Sequence, residues 1–325
     1  MIQVSASLNQ LTVRPVAGFS YATSGAGNLV FYVERGTGHV YQLNLTTGEE
    51  QRIEWCYSMS TVAAVFSTDQ SHVILTTEQS GSVGKTLLTI NGGLLERLPA
   101  TVGQVHFTGT STFTFTEKTE TDTVVKQQSD DGVQTTQWST PYQDITVFWE
   151  AGGPYVLNRP APYLKGTVFK NDTQLFPAAF NQTFVPGNQT VLGVRTFYDL
   201  IKKRMVSEFV YEDQSTTTAP HIMTPEKCAF DVKEGGMIWC GFDFQDSDSR
   251  SREYLSDWYK GVVQAQDAIW VTPDSQTDEA LLVVDPLITT GRPLDIIDMT
   301  MSFDGEWLLF RNKIDDTLWS LKPTY

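Results

Sequence analysis

Long runs of helical periodicity are almost absent from this chain. What recurs is a short stretch of β-branched and aromatic residues, a turn rich in Gly, Ser, Asn or Asp, and another such stretch, which predicts a mainly β protein. The unit is clearest near the start. GFSYA, a turn at SGAG, NLVFYVE, a turn at RGTG, HVYQLNL, a turn at TTGEE and QRIEW predict four strands between residues 18 and 55. The same plan returns at the far end: LDIIDMTMS, FDGE, WLLFRN, KIDD and TLWSLKP fill residues 294 to 323. Between them, second strands are predicted at Val30, Ile74, Phe113, Tyr155, Val191, Ile238 and Leu308, with spacings of 44, 39, 42, 36, 47 and 70 residues. Each spacing but the last suits one four-stranded propeller blade. Third strands repeat the count, at HVYQLNL, KTLLTI, DTVVKQQ, KGTVFK, RMVSEFVY, DAIWVTP and TLWSL.

The expected fold is therefore all-β, a single seven-bladed β-propeller of four-stranded antiparallel blades occupying 1–325 as one domain. The last blade stops soon after its third strand, while QVSASLNQLTV (residues 3–13) alternates and is spare. We expect it to complete that blade, which removes a long unpaired edge. FYDLIKKRMVSEF (197–209) has a helix-like composition, yet its place in the repeat predicts a hairpin turning at LIKK. The spacing of 70 leaves an insertion, 241–266, between strands of the sixth blade.

TGHVYQLNLTTGEE and SFDGEWLLFRNKIDDTLWSL resemble the repeats of TolB-type, WD-repeat-like propellers, whose blades commonly read S-x-D-G, a β-branched strand, a short turn and a strand with Leu/Ile-Trp or Val-Tyr. The likeness is sharp in the first and last blades. STDQSHVIL at 67–75 keeps the Ser and Asp and replaces the Gly, and the middle blades keep the rhythm alone. The resemblance implies an interaction platform. The peptidase relatives need a separate α/β-hydrolase domain, for which this chain has no room.

Composition narrows the partners. With 23 Lys+Arg against 38 Asp+Glu in 325 residues the formal net charge is −15, the wrong sign for nucleic acid. No apolar run approaches the roughly 18 residues of a membrane span. The first residues lack the basic and apolar regions of a signal peptide, so Met1 either begins a cytoplasmic protein or follows a removed targeting segment or anchor. Thr is 40 of 325 residues, a bias common in exported β proteins. An extracellular, cell-surface or periplasmic location is expected on that ground, and a monomer.

Candidate chemistry is sparse. Cys56, Cys228 and Cys240 are too few for a disulfide scaffold, and their spacing does not suggest zinc. If KCAFD and MIWCG form a hairpin, Cys228 and Cys240 share a face and can form a cross-strand disulfide in an oxidising compartment; alternatively they are two small buried hydrophobes. In the insertion, SREYLSDWYKGV predicts a short amphipathic helix capped by Ser251, with Tyr254, Leu255, Trp258 and Val262 on one face. Tyr254, Asp257, Trp258 and Tyr259 are then either packing or a ligand or partner surface. Asp243, Asp246 and Asp248 make the loop acidic and are candidate calcium ligands, though the spacing lacks the Gly and terminal Glu of an EF-hand. No other cofactor is expected.

His39, His72 and His106 are predicted in strands of successive blades and His221 apart from them; they form no triad or metal spacing. GxSxG, HExxH and phosphate-loop motifs are missing from the sequence. Asn44, Asn171, Asn181 and Asn188 head N-x-T sequons. No catalytic residue is assigned. The expectation is a non-enzymatic surface-exposed binding or assembly module for a protein or glycan. The alternatives are a carbohydrate-active hydrolase or lyase with its site at the channel mouth, and a sensor domain of a membrane-anchored protein.

Overall fold

The computed structural model describes residues 5–324 except 25–26, 55–57, 130, 150–152, 172, 188–190, 232–236, 244–250 and 274–279. Among the described residues the strands form seven antiparallel sheets, and the fold is an all-β, seven-bladed propeller. The second strands of the blades are Gly27–Glu34, His72–Gln79, Phe113–Lys118, Tyr155–Asn158, Val191–Asp199, Met237–Asp243 and Leu308–Asn312. Each contains the residue at which the repeat spacing places it. The blades fall into two compact units, one of residues 14–143 and the other of 1–13 with 144–325.

The unit of residues 14–143 holds three blades. Their apolar strands are buried on both faces because successive sheets stack: Ala17, Val33 and Val40 of the first blade pack with Phe66, Val73 and Leu88 of the second. The second blade presents Ile74 to Phe107, Phe113 and Phe115 of the third. Each such side chain taken from water contributes roughly 1.5–3 kcal/mol. That two-sided burial explains why these strands read as apolar runs and do not alternate. Outer strands touch solvent, and Glu50–Glu54, Leu95–Arg97 and Gln134–Thr140 are accordingly polar. At Gly18 the inner strand of one blade meets the next, for a Cβ there would lie 2.1 Å from the Ala64 carbonyl oxygen.

The unit of residues 1–13 and 144–325 holds four blades. Its last sheet runs Ser5–Gln10, Leu318–Thr324, Leu308–Asn312 and Ile296–Met301, so the N-terminal strand completes the final blade, with Ser5 opposite Thr324 and Gln10 opposite Trp319. The segment KGTVFK is divided. Val168–Lys170 is the third strand of its blade, while Lys165–Gly166 pairs with Ala179–Pro186 of the following sheet. FYDLIKKRMVSEF is a hairpin, closing with Asp199 opposite Arg204.

The Ser-x-Asp turns at 67–72 and 302–307 share one geometry. Ser302 Oγ donates to Asp304 Oδ1 at 2.5 Å and accepts from the Trp307 amide at 2.9 Å. Ser67 Oγ donates to Asp69 Oδ1 at 2.8 Å and accepts from the His72 amide at 2.9 Å. Gly305 has φ +73° and Gln70, in the glycine's place, φ +59°. The left-handed position survives the loss of glycine because the Ser and Asp bonds hold the turn.

Candidate functional site

The insertion of the sixth blade joins Met237–Asp243 to Asp267–Pro273 and carries a helix, Tyr254–Tyr259. The helix starts later than its sequence suggests. Ser251 is not its cap; Glu253 stands at the N-cap with no side-chain capping bond, and the Ser251 carbonyl accepts from the Tyr254 amide. It also ends earlier, because Gly261 turns left-handed at φ +74° and puts Val262, expected on the apolar face, 72% exposed in solvent. Tyr254 and Leu255 pack on Tyr198, Met205 and Ile222 of the preceding blade.

Beneath the helix lies a buried ionic network. Lys227 Nζ donates to Asp267 Oδ2 at 2.6 Å and to Asp295 Oδ1 at 2.7 Å, all three side chains being almost wholly enclosed. The Trp258 indole donates to both oxygens of Asp295, at 2.9 and 3.1 Å, and the Ala265 amide donates to Oδ2 at 3.2 Å. Asp267 Oδ2 also accepts from the Ile296 amide at 2.7 Å. Lys313 Nζ sits 3.8 Å from the centre of the Trp258 ring and donates to the Trp258 carbonyl. Burial works against the Lys227 ammonium, but the two carboxylates outweigh it and hold its pKa above the usual lysine range. The network ties three strand starts and the helix to one point.

A second, part-buried contact lies beside it. Tyr259 donates to Glu226 Oε1, while Glu226 Oε2 is closed off from solvent with no hydrogen-bond partner among the described residues. Burial pushes the Glu226 carboxyl above its ordinary range, and Asp298 adds to this while Lys227 opposes it. An acid whose folded pKa is raised binds more protons folded than unfolded, so stability falls as pH rises from the unfolded value, near 4.5, through the folded one. Glu226→Gln is expected to match the wild type below about pH 4.5 and to exceed it in urea midpoint at pH 7. A variant weaker than wild type at pH 7 would contradict that assignment.

The outer edge of the insertion faces solvent. The Arg252 guanidinium lies 3.9 Å from the Phe180 ring centre and 4.9 Å from that of Tyr163, and its Nε donates to the Pro162 carbonyl. Tyr163 is 67% exposed and donates to Glu253 Oε1 at 2.6 Å.

The structure places the sequence candidates unevenly. Tyr254 and Trp258 are buried, turned into the packing and the ionic network, and Asp257 and Tyr259 are half-buried. Asp243 ends its strand opposite Asp267; Asp246 and Asp248 lie outside the described residues. Among the described residues no three His, Cys, Asp or Glu side chains gather as metal ligands. Cys228 and Cys240 stand opposite each other in register and are joined in a disulfide; Cys56 lies outside the described residues. His39 precedes its strand, with Nδ1 3.3 Å from Glu34 Oε2, and His221 stacks on Phe242 at 4.1 Å. Asn181 is fully buried and its amide donates to the Arg252 carbonyl, so this sequon is closed to modification in the folded chain.

Lys227, Asp267, Asp295 and Arg252 were not legible as a group. A local signal did exist: each of the first three stands at the start of an apolar strand, at Lys227-Cys228, Asp267-Ala268 and Asp295-Ile296.

No family model and no curated protein matches the sequence. Solved structures do. The β-propeller domain of Myceliophteria thermophila Cps50 (Swd1) superposes with a TM-score of 0.53 at 7% identity, covering 97% of this chain and 99% of that one. Oligogalacturonate lyase from Vibrio parahaemolyticus gives 0.42 at 13% identity, over 96% of this chain and 79% of the other. At such identity the likeness to the Cps50 domain is one of fold, and it is to a β-propeller.

Proposed function

We propose that this chain is a TolB-type propeller acting without catalysis as a binding or assembly module for a protein or glycan, displayed outside the cytoplasm. The observation that carries the reading is the use made of the ionisable groups beneath the insertion. Lys227, Asp267, Asp295 and Trp258 are enclosed and bonded to one another, so they anchor the loop and meet no substrate. A loop pinned in this way holds Tyr163 and Arg252 in a fixed, solvent-facing arrangement, which lowers the ordering cost of binding. The Ser-x-Asp turn geometry shared by residues 67–72 and 302–307 supports the TolB-type likeness. The Cys228–Cys240 disulfide supports an oxidising compartment.

A glycan array and a cross-linking screen against surface proteins of the source cell test the proposal, each run with the wild type, Tyr163→Ala and Arg252→Ala. A ligand whose affinity falls by about tenfold or more in both variants, with circular dichroism unchanged, is the expected result. Release of new reducing or unsaturated ends from a polysaccharide, with turnover, would replace the reading by a carbohydrate-active enzyme.

A further inference from the structure

The hairpin between Val191–Asp199 and Arg204–Tyr211 ends in Leu200, Ile201, Lys202 and Lys203, followed by Arg204. Turn tips favour Gly, Asn, Asp and Ser; this one carries two adjacent aliphatic residues with Leu200 54% and Ile201 93% exposed. The turn is nonetheless well built. Asp199 Oδ1 accepts from the amides of Ile201 at 2.7 Å and Lys202 at 3.0 Å, and Lys203 takes the left-handed position at φ +53°. Its aliphatic pair is thus held outward by the backbone.

The neighbouring loops repeat the chemistry. Tyr198, next to the turn, packs with Tyr254, Leu255 and Val263 of the insertion and lies 5.8 Å from the Arg252 guanidinium, which also stacks on Tyr163. Beyond these contacts Leu164 and Val262 are each 72% exposed, beside exposed Lys165 and Lys260. In a chain of net charge −15, the basic run Lys202, Lys203 and Arg204 is a local reversal of sign.

We propose that this tip, beside the Tyr163–Arg252 edge, is a docking site for an anionic lipid bilayer surface. Aliphatic side chains on a convex tip enter the headgroup–acyl boundary, while flanking lysines keep their ammonium groups at the phosphates and bury their stems. A protein partner fits less well, because lysine is depleted from protein interfaces, where Trp, Tyr and Arg are enriched. A soluble polyanion would use the lysines and leave Ile201 without a role.

The experiment is co-sedimentation of the full chain with vesicles of phosphatidylcholine alone and of phosphatidylcholine with phosphatidylglycerol, at low and high salt. Binding is expected to the anionic vesicles, weakened by salt, and reduced at least about tenfold both by Lys202→Glu/Lys203→Glu and by Ile201→Asp. The residues are exposed, so all variants should keep the wild-type thermal transition, which is measured alongside. Equal sedimentation of the wild type and both variants, or none with either vesicle, overturns the proposal. So does binding to soluble heparin that needs the lysines but tolerates Ile201→Asp, if anionic vesicles are not bound; that outcome assigns the tip to a soluble polyanion.

Discussion

Lys227→Met is expected to destabilise the chain by about 3–5 kcal/mol, because it leaves two enclosed carboxylates, Asp267 and Asp295, without the cation between them. Each retains hydrogen bonds, from the Ile296 amide and from Trp258 and Ala265, but these do not cancel like charge brought together in a low dielectric. The loss should depend on pH. In the variant Asp267, which burial already pushes above its ordinary range, loses the ammonium that opposed this and ionises less readily folded than unfolded, so stability present in acid is lost as pH rises, and the gap to wild type widens towards neutrality. Urea unfolding from acid to neutral pH measures it. Adding Asp267→Asn and Asp295→Asn to Lys227→Met should recover more than half of the loss, since removing all three charges leaves none unpaired. A single-variant loss below about 1 kcal/mol, without pH dependence, would mean that water reaches the network and that the insertion is not anchored as described.

The second large effect is expected from the Cys228–Cys240 disulfide, which bridges a sequence separation of 12. Closing a loop of that size restricts the unfolded chain enough to contribute about 3 kcal/mol. Cys228→Ala/Cys240→Ala should lose that amount, and reducing agent should destabilise the wild type while leaving the double variant unaffected. Thiol titration of the denatured chain gives an independent reading. Of the three cysteines, Cys56 alone should react before reduction and all three after it. Three reactive thiols in protein kept from reductant would remove both the stabilisation and the support that the disulfide lends to a location outside the cytoplasm. The bond lies in the same hairpin that begins with Glu226 and Lys227, so its loss should also loosen the ionic network. The double variant combined with Lys227→Met is accordingly expected to fall short of additivity.

The repeat of apolar runs and polar turns was enough to specify seven blades and the strand that completes the last of them. Burial between stacked sheets and tight-turn chemistry are local, periodic demands, and each is met by residues close together in sequence. The Ser-x-Asp turns show this at two positions with the same bonds, even where Gln70 stands for glycine. The hairpin at LIKK was legible for the same reason, because blade spacing outweighs a helix-like composition. The buried ionic network was not local. Lys227, Asp267 and Asp295 come from segments up to 68 residues apart, and only the sheet order places their strand starts around one point. Trp258 and Tyr254 read as either packing or a partner surface, and only the contacts with the preceding blade and the ionic network decided that they face inward. Whether Ile201 and Tyr163 were core or surface could not be read from hydrophobicity, since burial is set by what the folded chain brings to each position. Periodic pattern determined the scaffold; long-range packing and the pairing of buried charges decided which side chains remain exposed.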